Sequence, residues 1–551
     1  MEASQATKSR AAIMYKYWKQ WVARYSANWF VAFCLQVGFF GLSAIIPFLF
    51  KQVIDTLTTP DFSLLNKWIV IFILVEGVQI VLLYSRGYAT RTLELKVQEN
   101  LKAALYSKLH TGRYPLASRT KPGDAIQRIT SDAANTKPLA VEGFSELVGH
   151  VILVIIIIIF MFALSPYLAI ISLVFIGLYA IGYRVYQINA PKLAQERQAA
   201  QAQFISTTEE GLDALYTIRV HGAYRNVMKV YREALKDFLN KGFAFYKYNL
   251  KFQGVFTSLI SYLASVGVLV LGAWLVLQGH ITIGVIVAFS QYISWLVVFV
   301  NFMSGYATTI EPAIVSYNRV NEILDWKTHW LVNDCSHSVQ EQLKHKNAIS
   351  IDGLSFAYNS DVLFDNLNLD IESNKTTLIV GASGRGKSTL LNIMLGLYEV
   401  EDNTVFIDGT DINKLVPADV LGLISVVEQE PKFFGDSVAD NLLSCDNTPL
   451  AEIETKAELL GLDSVLNRLA AGDGGKGLKN LSGGERKRLG ILRGLSRERP
   501  IVIMDEPTAF VDETNAKAIL KKVFAAFPDT TFIIFSHDAT VEEFADVVVN
   551  L

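Results

Sequence analysis

The chain has 551 residues, more than one ordinary domain holds. Half of it is hydrophobic (51%), only 19% is charged and the mean hydropathy is +0.30, which argues against a purely soluble protein and for a membrane portion joined to a soluble one. A net charge of −3 argues against a nucleic-acid binder, and Cys34, Cys335 and Cys445 show neither a metal spacing nor a disulfide framework.

The first long apolar run begins near Trp29, passes twenty residues and lacks a small-residue cleavage site, so it does not read as a cleavable signal. Before it, residues 13–25 place Met14, Trp18, Trp21, Val22 and Tyr25 at helical spacing with Lys16, Lys19 and Arg24 between them, the pattern of an interfacial helix. A helical span needs about 20 apolar residues. Six segments qualify within a membrane domain placed at 1–327: about 29–50, 68–84, 147–164, 167–183, 252–277 and 283–306. Ser165-Pro166 and the stretch around Gln278-Gly279-His280 are tight turns without Lys or Arg. The segments Arg86–Arg128 and Arg184–Lys251 are rich in both, which places them and both termini in the cytoplasm. These long segments also carry helical pattern and read as helices continuing out of the bilayer. Glu76 sits midway along the second span, one turn before Gln79. A carboxylate there is costly and faces a bundle interior or a wet cavity. Contact with cargo or a proton, and a hydrogen bond between helices, are both open readings.

Residues 328–346 form a polar linker, and from 347 to 551 short β-rich runs alternate with helical patterns, which predicts a parallel sheet wrapped by helices. Thr376–Val380 is an apolar strand, Gly381–Thr389 reads GASGRGKST, and Leu390–Leu397 opens a helix. Strand, glycine loop and helix make a phosphate cradle: loop amides face the phosphates, Lys387 sets a cation on the outer ones, and Ser388 offers a hydroxyl to Mg²⁺. Gly381, Ser383, Gly384, Gly386 and Thr389 complete the loop. Ile501–Met504 is a buried strand ending in Asp505 and Glu506. Asp505 suits the Mg²⁺ shell, and Glu506, one residue beyond the strand, is placed to polarise a water. Leu481-Ser482-Gly483-Gly484-Glu485 opens a basic helix, a second anion site some 95 residues after Lys387.

On these motifs the sequence resembles ATP-binding cassette (ABC) exporters of the half-transporter type, over nearly the whole chain. The resemblance implies a membrane six-helix bundle with long cytoplasmic extensions followed by an α/β P-loop ATPase. Gly381–Thr389 matches the Walker A loop, Met504-Asp505-Glu506 the end of Walker B, and LSGGE the signature, with Glu485 where glutamine is commoner. The resemblance makes Gln429 the Q-loop glutamine and a Mg²⁺ ligand, His537 the switch histidine, and Tyr358 the aromatic that stacks on adenine. Gly123–Arg128 with Asp132 is similar to the first cytoplasmic loop of exporters. It further implies ATP and Mg²⁺ as cofactors and head-to-tail pairing of two cassettes. Each ATP then lies between one Walker A and the partner's Ser482, Gly483 and Gly484.

The function so implied is an ATP-driven translocase. It moves an amphipathic drug, peptide or lipid-like cargo out of the cytoplasm by alternating access, in a bacterial inner membrane, as a homodimer or with a related half-transporter. A lipid flippase and half of a heterodimer are the alternatives; an ATP-gated channel is disfavoured by the presence of Glu506, and a soluble cassette by the spans. Three places depart from the family pattern: Ala509–Asp512 after Walker B, the glycine-rich Gly472–Asn480 before the signature, and the short stretch after His537.

Overall fold

The computed structural model describes residues 12–57, 61–139, 143–328, 343–358, 361–382, 384–434, 441–442, 450–470, 478, 481–508 and 513–551. Contacts divide the chain into two compact units, Met1–Tyr106 with Pro122–Asp325 and Ser107–Lys121 with Trp326–Leu551.

The first unit is helical. Its main helices are α1 (Ser26–Leu57), α2 (Phe62–Thr111, continuing into the second unit), α4 (Gly143–Leu164), α5 (Pro166–Asp213), α6 (Tyr224–Asn249), α7 (Thr257–Leu277) and α8 (Ile283–Leu324); α6 runs into α7 through a wider turn at Leu250–Phe256. Among the described residues six helical stretches, the fifth spanning α6 and α7, are long and apolar enough to cross a membrane. The two short connections obey local chemistry. Ser165 caps α5, accepting from the Leu168 amide, and Pro166 follows at the first helical position, where its missing N–H costs nothing. At the end of α7, Gly279 takes a left-handed φ of 76°. The His280 amide reaches back to Leu275 O and the Gly279 amide to Val276 O, the bond pair that closes a helix on glycine. Asp55 then binds Gly284 N and Thr282 Oγ1, tying the end of α1 to the start of α8.

The core of this unit joins Phe39 and Phe40 of α1, Leu153 and Ile157 of α4, and Phe289 and Tyr292 of α8. The N-terminal helical segment 12–25 buries Tyr17 and Val22 beside Leu93, Val97 and Tyr317, with Tyr17 hydrogen-bonded to Thr136, while Tyr15 stays exposed. In α2 every buried residue lies at Leu93 or beyond, so the apolar window of that helix has none. The Gly123–Arg128 stretch is fixed by charge. Arg128 pairs with Asp124 and Glu322, and Arg319 pairs with Asp124 and Asp132.

The second unit contains two sheets. An antiparallel sheet orders β2 (Asp361–Glu372), β1 (Asn347–Tyr358), β4 (Val405–Ile407) and β5 (Thr410–Asp411). A five-stranded parallel sheet orders β6 (Ile424–Val427), β7 (Ile501–Asp505), β8 (Thr531–Ser536), β3 (Thr376–Val380) and β9 (Val547–Asn550). Strand β8 is buried at every position and β3 and β7 at all but the last, as the continuous apolar runs require of strands covered on both faces. The unit's helices include α9 (Lys387–Met394), α10 (Leu450–Leu459), α11 (Asp463–Ala470), α12 (Gly483–Leu495) and α13 (Glu513–Ala526), with a shorter one at Pro417–Leu423. A short helix, α3 (Tyr114–Arg119), belongs to this unit. Arg113 just before it pairs with Glu399, and Tyr114 meets the ring of Tyr398 edge-on.

Candidate functional site

The parallel sheet assembles the site because all its strands end on the same side. Val380 is in register with Ser536, Asp505 with Phe535, and Val427 with Met504. The residues that follow these ends, Gly381, Glu506, His537 and Glu428-Gln429, therefore emerge along one edge. In open α/β sheets this carboxyl edge is where ligands bind.

The glycine loop is shaped by sterics. Gly384 and Gly386 adopt φ of 85° and 96°, which side chains disfavour, and a Cβ on Gly386 would lie 2.8 Å from the ring of Phe364. Helix α9 begins at Lys387, so its first amides open toward the loop. Lys387 Nζ donates to the Gly381 carbonyl, which holds the ammonium inside the loop. Ser388 is exposed, whereas Thr389 is buried and bonded to the Tyr358 hydroxyl at 3.1 Å. Tyr358 also donates to Tyr398 and stands edge-on to Phe356, so the aromatic lies beside the loop with its ring orientation fixed. Ser383 lies outside the described residues, as do Ala509–Asp512 and most of Gly472–Asn480.

Glu506 is 7% exposed and carries a φ of 48°, a left-handed conformation that costs a non-glycine residue about 1–3 kcal/mol. Its amide donates to Phe535 O at 2.8 Å, which fixes the turn. His537 Nδ1 lies 2.7 Å from Glu506 Oε1, with the carboxylate as acceptor, and the ring itself is largely exposed. The two residues, each expected from the sequence to serve the terminal phosphate, thus meet in one chain. Burial, and then the neighbouring Glu506 charge, push the Asp505 carboxyl up; Lys487 and Lys387 act in the opposite direction.

Sequence reading passed over Lys487. It is 1% exposed, and its ammonium donates to the carbonyls of Glu428, Gln429 and Asp505. Burial pushes it down to about 8 against the fields of Asp505, Glu506 and Glu428. A signal was available: positions 487, 491 and 495 share one face of α12, and Ile491 and Leu495 are core. The side chain of Gln429 is exposed.

At the start of α12, Ser482 accepts from the Glu485 amide and the Glu485 carboxylate accepts from the Ser482 amide, a reciprocal cap. Glutamate in place of glutamine therefore closes the helix start, and leaves Ser482 and Gly483 exposed with Gly484 half-buried. Glu76 is half-exposed on the apolar stretch of α2, and Gln79 donates to Ser43 of α1.

Among the described residues no cluster of His, Cys, Asp and Glu holds a metal by itself. Ser388 and Asp505 offer one hydroxyl and one half-buried carboxylate, a set that fits a hard cation whose remaining ligands are phosphate oxygens and water.

Comparison with known proteins agrees with this geometry. Residues 17–300 match the family model described as the ABC transporter transmembrane region, and residues 364–509 match the one described as ABC transporter. A protein described as a multidrug export ATP-binding/permease protein, YgaD of Bacillus subtilis, is 25% identical over 97% of this chain and 94% of its own. SAV1866 of Staphylococcus aureus, described in the same words, is 26% identical over 97% and 94%. The solved structure of a bacterial Atm1-family ABC exporter with ATP bound superposes with a TM-score of 0.76, covering 95% of this chain and 93% of that one at 21% identity, which shows a shared fold. With the membrane-region model matched across 17–300 and the cassette model fused behind it, the chain belongs to the ABC transporter family, an integral membrane protein that binds and hydrolyses ATP.

Proposed function

We propose that this protein is an ATP-driven exporter that works as a dimer and moves amphipathic cargo out of the cytoplasm by alternating access. One observation carries the reading: Glu506 and His537 sit 2.7 Å apart on a sheet edge beside an intact phosphate loop. That edge is fused to six helices able to span a membrane. A regulator or gated channel has no need of a complete hydrolytic set.

In this reading the loop amides from Gly381 to Thr389 and Lys387 neutralise the outer phosphates of ATP. Tyr358 lies against the adenine. Glu506 takes the proton of the attacking water, and His537, held by Glu506, fixes the approach to the terminal phosphate. Ser388, Gln429 and Asp505 would hold Mg²⁺, which when bound neutralises phosphate charge. Ser482, Gly483 and Gly484 reach the nucleotide of a second copy from the start of α12. ATP then favours the closed pair by the difference between its affinities for closed and open states. Moving such an equilibrium from 1:99 to 99:1 takes about 5.5 kcal/mol. The closing motion passes along α2, whose C-terminal end belongs to the cassette unit.

The names of the relatives support a broad range of drug-like cargo. Glu76 is the candidate cargo contact in the spans, and a cationic or hydrogen-bonding group on the cargo suits it. The cytoplasmic placement of both termini and a bacterial inner membrane complete the proposal. The membrane domain is assigned to 1–327, the linker to 328–346 and the cassette to 347–551. A lipid flippase and a heterodimer with a related chain are the second readings. An ATPase-stimulation screen of the reconstituted protein across drugs, peptides and lipids tests the first. Native mass in detergent tests the second, where a mass of one chain contradicts pairing.

A further inference from the structure

We propose that Lys487 is a positioning residue for ATP hydrolysis: it pins the backbone of the Gln429 loop to the backbone of the Asp505–Glu506 pair. An ammonium has three N–H donors and no acceptor. Here three backbone carbonyls accept them, from Glu428 at 3.1 Å, Gln429 at 2.9 Å and Asp505 at 3.3 Å. The count matches, and a buried cation is tolerated only when its donors are all met.

The placement explains the need. Strands β6 and β7 pair as far as Val427 and Met504, and past that register the two chains part. The carbonyls of Glu428 and Gln429 have left the ladder, and Lys487 takes the place of the missing strand bonds. Its stem rises from α12 five residues after Ser482. One rigid helix therefore presents the signature residues at its start and anchors the hydrolytic carboxylates from its flank. Arg493, further along α12, binds Glu428 Oε2 at 2.6 Å and the Lys432 carbonyl, so the same helix grips the Gln429 loop on both sides. A change at that loop is thereby transmitted to the position of Glu506 without passing through bound nucleotide.

This rests on the assignment of Glu506 as the general base, and the test separates the two. Full-length wild-type, Glu506→Gln, Lys487→Met and Lys487→Gln proteins are compared in lipid for kcat, KM for ATP and melting temperature. The Met variant has no donor and is expected to lose kcat by about tenfold or more, with KM within about twofold of wild type. The Gln variant keeps two N–H donors and is expected to recover to within about fivefold, still at unchanged KM. Wild-type turnover in Lys487→Met, or a joint loss of kcat, KM and melting temperature in both variants, overturns the proposal. If Lys487→Met does not fold, Lys487→Gln decides: a reduced kcat at steady KM supports it, and wild-type values or a joint loss overturn it. Normal hydrolysis by Glu506→Gln would instead unseat the general base and leave the Lys487 result to be read on its own.

Discussion

Glu506 is buried, held in a left-handed backbone conformation, and bonded to His537 through a side chain from the next strand. Backbone strain of this kind persists only where surrounding structure enforces it. Replacement by glutamine keeps the shape and removes the base. Hydrolysis by Glu506→Gln is expected to fall by about 10²–10⁴-fold while ATP binding persists and the closed dimer accumulates. Phosphate release and nucleotide-dependent cross-linking measure the two, and normal turnover would mean that another group is the base. Glu76 offers a second test at this scale. Glu76→Gln should change cargo-stimulated ATPase more than basal ATPase, and equal effects on both would remove it from the cargo path. Glu506 was legible because an apolar strand ended in carboxylates. Its backbone conformation was not, because φ at that residue is set by the turn onto Phe535. Lys487 was hidden inside the basic run Arg486–Arg488, where three charges in a row read as a solvated face.

Among the elements, the glycine loop and the start of α12 decide whether nucleotide is gripped from both sides. Gly386→Ala adds a Cβ at φ 96° against Phe364. A cost of about 1–3 kcal/mol predicts a loss of ATP affinity of roughly 5- to 150-fold by equilibrium titration; an unchanged affinity would mean that the loop relaxes freely. Ser482→Ala removes the cap of α12 and should destabilise the cassette by about 0.5–2 kcal/mol. It should also lower hydrolysis beyond what a comparable loss elsewhere would cause, since Ser482 is proposed to serve the partner's nucleotide. The strand–loop–helix order around Lys387 was readable from the order of residues along the chain, and β3 runs over the predicted Thr376–Val380. The reciprocal cap was not claimed from the sequence, although S-x-x-E is its signature. The grouping of Ser107–Lys121 with the cassette was invisible, because it involves contacts with residues far along the chain, such as Arg113 with Glu399. Both members of that pair are partly exposed, at 36% and 54%, so it contributes about 0.2–1 kcal/mol at most. Arg113→Glu is therefore expected to leave the melting temperature nearly unchanged while reducing cargo stimulation of ATPase, and the added Glu399→Arg to restore it. No change in stimulation would place the coupling elsewhere.

For the whole molecule, composition already divided the chain into a membrane part and a soluble part, and the six long apolar helices bear out an integral membrane protein. What composition does not carry is the cargo. The apolar window of α2 has no fully buried residue, and Glu76 is half-exposed within it. The central claim is that ATP hydrolysis at the Glu506 edge moves cargo across the bilayer. The most direct measurement uses inside-out proteoliposomes carrying the purified chain, with Mg-ATP supplied in the outside medium and an ionophore present to abolish proton gradients. Fluorescent cationic, anionic, peptide and lipid-like amphipaths are added in turn to the outside medium. Wild-type vesicles should accumulate at least one of these, and Glu506→Gln vesicles none. Equal accumulation by both, or steady ATP hydrolysis by wild type with no accumulation of any class, would contradict the account.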